Sequence, residues 1–201
     1  MEKEVRDIFA DMEKEDLKIK DLITFHIMLI GFMGAGKSTV SSYLSKKLNM
    51  EEVDTDSLIV KKEGKKIPQI FEDNGENYFR DCESNILIDL EKRKRLIVSC
   101  GGGIVLREKN IQHMKKQGRV VLLTATPQTT YERVKDSKER PILNDNMNTK
   151  FIAQLMEKRQ DKYQAAADII VATDYKNVTQ ICDEIIDKLI RLEVKNNRAF
   201  T

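Results

Sequence analysis

The stretch FHIMLIGFMGAGKST, Phe25 to Thr39, decides the fold. Phe25 to Ile30 form an apolar run ended by Gly31, the pattern of a strand buried on both faces of a parallel sheet. Gly31 to Ser38, GFMGAGKS, then satisfies G-x-x-x-x-G-K-[ST] in full, after a strand and before a helical segment. Glycines there let backbone N–H groups converge on phosphate oxygens without Cβ collisions, and the following helix N-terminus adds positive potential. Gly34, Ala35, Gly36, Lys37, Ser38 and Thr39 are therefore expected around the phosphates of a nucleoside triphosphate. Lys37 is expected to reach the β- and γ-phosphates, with the Ser38 hydroxyl on Mg2+.

Outward from this loop, helical and strand patterns alternate. KSTVSSYLSKKL reads as a helix carrying Val40, Tyr43, Leu44 and Leu48 near helical spacing, and EEVDTD as a short strand ending in acids. Residues 57–93 read as helices punctuated by Gly64, Pro68 and Gly75. RLIVS, RVVLLTA and DIIVAT read as three further strands. KNIQHMKKQG is predicted to be a helix closed by Gly118, with His113 on its exposed face. Thr126 before Pro127 is a cap and first-turn pair for the next helix. The polar stretch DSKERPILNDNMN reads as a mobile loop, and two helices, from Thr149 and from Asn177, complete the chain. The prediction is a three-layer α/β/α domain around a parallel, five-stranded sheet.

A phosphate loop alone does not name a reaction, because switch GTPases, motor ATPases and small-molecule kinases share it. A guanine-reading N-K-x-D is absent, as is a second strand of four apolar residues followed by Asp. The metal-positioning acid is instead expected at Asp54, paired with Ser38.

Composition narrows the class further. Lys and Arg number 35 against 33 Asp and Glu, a net charge of +2, so no global field favours nucleic acid or membrane. Three widely spaced cysteines without C-x-x-C read as free thiols, and no apolar run is long enough to span a bilayer. The reading is a cytoplasmic protein. Residues 1–24 carry Val5, Ile8, Phe9 and Met12 on one helical stripe. This domain's own surface, a second copy, or nothing ordered can cover that stripe, so a monomer is expected with a dimer through this extension as the alternative.

GFMGAGKST, VDTD, IPQIFEDNGENYFRDCE, CGGG, RPIL and EKRQDKY, in this order and spacing, together resemble shikimate kinase, of the nucleoside-monophosphate-kinase-like group. The likeness runs from about Ile27 to Leu189, within a domain read as 25–192, with 193–201 a tail. It implies Mg-dependent transfer of the ATP γ-phosphoryl group to the 3-hydroxyl of shikimate, in chorismate biosynthesis. It implies Arg80 and Arg159 as carboxylate clamps, since a guanidinium fork matches a carboxylate better than lysine does. Glu83, three residues after Arg80, can orient it. Asp56 is implied as the partner and general base of the attacking hydroxyl; capping a helix from Ser57 is its other reading. Arg140 is the implied lid arginine, on a lid at 135–147, and Arg133 the implied adenine-stacking residue. The substrate-binding segment is read as 55–83.

Cys100 stands where the family often has threonine, and it is expected to pack rather than react. Gly101, Gly102 and Gly103 are expected to bring backbone N–H groups up to the acceptor ring, where any Cβ would collide with it.

Overall fold

The computed structural model describes residues 22–135 and 148–198. The expected helix at 1–21, the 136–147 part of the lid with Arg140, and residues 199–201 lie outside the described residues.

Five strands form one all-parallel sheet: β1 (His26–Ile30), β2 (Glu51–Asp54), β3 (Leu96–Ser99), β4 (Gly118–Thr124) and β5 (Ile169–Ala172). Their spatial order is β2-β3-β1-β4-β5. Between them run α1 (Lys37–Leu48), α2 (Thr55–Glu63), α3 (Ile67–Leu90), α4 (Glu108–Gln117), α5 (Pro127–Val134) and α6 (Thr149–Ala166), and α7 (Val178–Arg198) closes the chain. A 3-10 turn at Ile104–Leu106 precedes α4.

Strand side chains alternate between faces, so β1 feeds two cores. Met28 and Ile30, with Val98, Val120 and Leu122, pack under Ile59, Phe79, Leu87, Met114 and Ile152. Ile27 and Leu29, with Ile97, Val121 and Leu123, pack under Val40 and Leu44 of α1 and Ile181, Ile185 and Leu189 of α7. Each fully buried Leu or Ile contributes roughly 1.5–3 kcal/mol. The chain passes from the β2 side of β1 to its β4 side, and ligands of such sheets bind at the carboxyl ends of the strands beside that switch.

The reading of 57–93 holds: α2 ends at the left-handed cap Gly64, Pro68 lies in the first turn of α3, and Gly75, with φ of 80° and ψ of 173°, breaks α3 into two helical arms. Other local expectations change. Gly118 closes α4 in extended backbone, with no left-handed cap. Glycine is needed there because a Cβ would lie 2.0 Å from the His26 carbonyl oxygen of its paired strand. His113 is half-buried, with Nδ1 2.7 Å from a Glu91 oxygen, so it is no solvated surface histidine.

His26 opens β1, as expected, and lies buried. Its Nδ1 accepts from the Leu96 N–H at 3.0 Å, and its Nε2 faces the Leu90 carbonyl at 3.2 Å. Those partners require a neutral ring protonated at Nε2. Burial lowers its pKa from 6.5, the Leu90 carbonyl opposes the shift and Arg93 adds to it. The unfolded chain therefore binds the extra proton first, and the stability His26 contributes is complete above 6.5 and lost as pH falls below it. In urea denaturation between pH 7.5 and 5.5, the stability of the wild type relative to His26→Gln should fall with pH, a difference in which the opposing contribution of Glu83 cancels. An unchanged slope in the variant would contradict this account.

Candidate active site

The phosphate loop leaves β1 at Gly31 and enters α1 at Lys37. Gly31, Gly34 and Gly36 take φ values of 147°, 75° and 91°, which side chains disfavour. At Gly31 a Cβ would also lie 2.4 Å from the Leu123 carbonyl oxygen. Gly36 is the N-cap of α1 and supplies no side-chain cap, so the first-turn N–H groups of α1 keep their anion-attracting character. Lys37 bends back over the loop, its Nζ donating to the carbonyls of Gly31 at 2.8 Å and Phe32 at 3.2 Å.

A cleft of about 460 Å³ opens beside the loop, lined by Gly34 to Val40 and by Arg133, Thr173 and Lys176. Arg133, from the last turn of α5, donates to the Gly34 carbonyl at 3.0 Å and to Thr173 Oγ1 at 3.0 Å and its carbonyl at 3.2 Å. It therefore pins the loop to the end of β5 instead of standing free in solvent. Thr173 and Lys176 carried no signal in the sequence.

The second glycine turn follows β3 and sits against the first. Leu29 is opposite Ser99, and the Cys100 N–H donates to the Leu29 carbonyl at 3.0 Å. A Cβ on Gly102 would lie 3.9 Å from the Gly31 carbonyl, the same oxygen that Lys37 holds. The Cys100 side chain is buried, and burial drives its thiol far above the usual range despite the pull of Lys37, so it packs as expected. Lys37, Asp54, Asp56 and Glu83 all act on that thiol, which places the four charges around one point.

The two acids of VDTD divide differently from one expectation. The helix begins at Thr55, and its cap is Asp54, whose Oδ1 accepts from the Ser57 N–H at 2.9 Å; Asp56 lies inside the first turn. Thr55 is fully buried, and its Oγ1 accepts the Gly101 N–H at 2.8 Å. That N–H is thus committed to the protein and is not offered to an acceptor.

The reason for the glycines also changes. A Cβ on Gly101 would meet Asp56 Oδ1 at 2.4 Å, and one on Gly103 would meet Arg80 Nη1 at 2.0 Å. These glycines make room for the protein's own carboxylate and guanidinium. Gly102 alone of the three could take a Cβ without a clash, at ordinary contact distance from Tyr163 Oη, 3.8 Å, and the Gly31 carbonyl oxygen, 3.9 Å.

Arg80 is buried on α3 between two carboxylates, donating through Nη1 to Glu83 at 2.8 Å and through Nη2 to Glu76 at 2.9 Å. Burial opposes its charge, and the two acids more than offset this, holding it protonated. Glu83 is fully buried; desolvation pushes it up to about 7, against the attraction of Arg80 and with Asp56 adding to the rise. Its second oxygen, Oε1, has no hydrogen-bond partner. Arg159 lies half-buried on α6, and both arginines act on the Tyr163 hydroxyl, so the two clamp candidates approach one another. Among the described residues no cluster of three His, Cys, Asp or Glu forms a metal cage, and no helix is long and apolar enough to cross a membrane.

A parallel sheet of this order, with a phosphate loop after its central strand and a glycine turn flanked by Asp56 and Arg80 after the neighbouring one, defines a P-loop kinase of the nucleoside-monophosphate-kinase-like class. The family model described as shikimate kinase matches residues 33–190. The shikimate kinase of Dehalococcoides mccartyi is 43% identical over 168 residues, covering 84% of this chain and 95% of that one. That of Persephonella marina is 44% identical over 164 residues, covering 82% and 98%. A shikimate kinase from Acinetobacter baumannii, solved in complex with shikimate, superposes with a TM-score of 0.75 at 32% identity, covering 86% of this chain and 94% of that one. The chain belongs to the shikimate kinase family.

The steric account separates the three glycines. Gly101→Ala and Gly103→Ala should each displace a charged side chain and raise the KM for the acceptor about tenfold or more, with nucleotide affinity retained. Steady-state kinetics alongside calorimetric ATP titration checks this, and unchanged acceptor KM in both variants would contradict it.

Proposed function

We infer that the protein is an ATP:shikimate 3-phosphotransferase, forming shikimate 3-phosphate and ADP. Beyond family membership, the observation that supports this reading is the approach of the two glycine turns, which brings the phosphate loop near Asp56 and Arg80, with Arg80 and Arg159 both acting on Tyr163. In this reading the loop N–H groups of Gly34 to Thr39 and Lys37 hold the ATP phosphates, and Arg133 borders the adenine side of the cleft. Arg80 and Arg159 hold the shikimate carboxylate, an arrangement that fixes the ring and aims one hydroxyl at the γ-phosphorus. Asp56 accepts the proton of the attacking 3-hydroxyl as the O–P bond forms and the bond to the ADP oxygen breaks. Arg140, outside the described residues, is assigned to the charge on the phosphoryl group in flight, and closure of 135–147 to the exclusion of water.

The donor set suits Mg2+, a hard cation that commonly takes one or two protein oxygens and leaves the rest to phosphates and water. Ser38 and Asp54 are the residues assigned to it, and Asp54 acts on the Cys100 thiol together with Lys37, which sets it near the phosphate loop. When bound, the ion neutralises charge on the β- and γ-phosphates.

The extension before Phe25 is read as standing outside the chemistry. Phe25 joins the sheet at the strands' amino ends, where it packs under Arg119, which in turn pairs with Glu193. The phosphate loop is at the opposite edge. The protein is read as a monomer.

A coupled ADP-release assay tests the whole reading. Turnover should require both shikimate and Mg2+, and Asp56→Asn should lower kcat about a hundredfold or more while ATP binding persists. A chain lacking residues 1–21 should keep its kcat and its monomeric mass by light scattering. Turnover with gluconate or a nucleoside monophosphate but none with shikimate would contradict the acceptor assignment. Loss of turnover in a folded, monodisperse deletion variant would contradict the division of domains.

A further inference from the structure

Glycine turns are soft, since no side chain anchors the backbone, yet the turn after β3 has to hold a fixed shape if an acceptor is to dock on it. Its polar groups are pinned from several sides. The Gly101 N–H donates to Thr55, and Ile104 and Leu106 donate back to the carbonyls of Gly101 and Gly103. Asn110, fully buried, donates through Nδ2 to the Ile104 carbonyl at 3.0 Å. The central carbonyl, that of Gly102, is held from α6, where Tyr163 Oη donates to it at 2.5 Å.

Tyr163 is buried and lies one helical turn after Arg159, on the same face of α6. A phenol has one proton and two acceptor positions. The proton goes to Gly102, and the Arg159 guanidinium acts electrostatically on the same oxygen. Desolvation pushes the phenol up to about 12, against the pull of Arg159, so the hydroxyl keeps its proton at neutral pH. The hydroxyl is thus tied to the glycine turn on the helix that carries a clamp arginine.

In a trans peptide the C=O and the next N–H point in opposite directions. Holding the Gly102 oxygen toward Tyr163 therefore aims the Gly103 N–H away from it. We propose that Tyr163 is a positioning residue for the acceptor, fixing the Gly102–Gly103 peptide through its single hydroxyl. The inference rests on the acceptor site assigned above. Tyr163 does not touch the nucleotide cleft, so its influence is confined to one substrate.

Tyr163→Phe removes the hydroxyl and keeps the packed ring. Calorimetric titration of shikimate and of ATP into wild type and variant, with steady-state kinetics, separates the outcomes. Shikimate Kd and KM should rise about tenfold, the scale of a lost hydrogen bond, with ATP affinity unchanged and kcat at saturating shikimate reduced far less. A purely structural tyrosine would instead lower the melting temperature and leave shikimate affinity where it was. Wild type that binds shikimate, with a variant that binds it equally well, overturns the proposal. Wild type that does not bind shikimate overturns the acceptor assignment itself, a different failure read from a different titration.

Discussion

The pairing of β1 with β3 is the constraint on which the site depends. Leu29 stands opposite Ser99, and the Cys100 N–H closes on the Leu29 carbonyl, so both strands end at the same level. Each strand then runs directly into glycines, and the two turns meet where Gly102 approaches the Gly31 carbonyl. A register shift would carry every β3 side chain to the opposite face of the sheet, which the two buried cores forbid. Hydrophobic burial therefore sets the separation of the phosphate loop and the glycine turn after β3, although no apolar residue takes part in the chemistry.

Around that junction the chain gathers charge in a place where burial makes charge costly. Arg80 and Glu83 are both buried, and a lone member of such a pair would be strongly destabilising. Glu83 holds Arg80 with one oxygen while its other lacks a partner, and its carboxyl sits near 7 because desolvation outweighs the arginine's pull. Such an arrangement exchanges stability for a pre-oriented guanidinium, which is what a pocket for a small carboxylate needs. On the nucleotide side the same economy appears in backbone form: loop N–H groups, the α1 terminus and Lys37 supply the positive potential.

Much of this was legible in the chain. The phosphate loop declares itself because its function constrains backbone conformation residue by residue, and Gly34 and Gly36 do adopt the left-handed angles it needs. Strand and helix alternation gave the five-stranded sheet because buried parallel strands leave near-continuous apolar runs. Finer assignments depended on side-chain direction, which spacing does not carry. VDTD contains two acids that could cap a helix, and only the structure shows Asp54 capping and Thr55 receiving the Gly101 N–H. The glycine triplet was read as clearance for a ligand, whereas Gly101 and Gly103 clear Asp56 and Arg80. For Arg133 nothing local signals the contact with Thr173, forty residues away, that draws it onto the loop. Tyr163 had a signal in its four-residue spacing from Arg159, but its partner, Gly102, lies 61 residues distant and belongs to tertiary structure alone.

The central claim is that both substrates meet at one edge of the sheet and the phosphoryl group passes straight from one to the other. Neither Cys100, fully buried, nor His26, at the far end of β1, is placed to carry it as an intermediate. The stereochemical course at phosphorus tests this directly, using ATP made chiral at the γ-position and reading the configuration of the shikimate phosphate ester. Direct in-line transfer predicts inversion. Retention, which requires two successive displacements and a phosphorylated protein between them, would contradict the account.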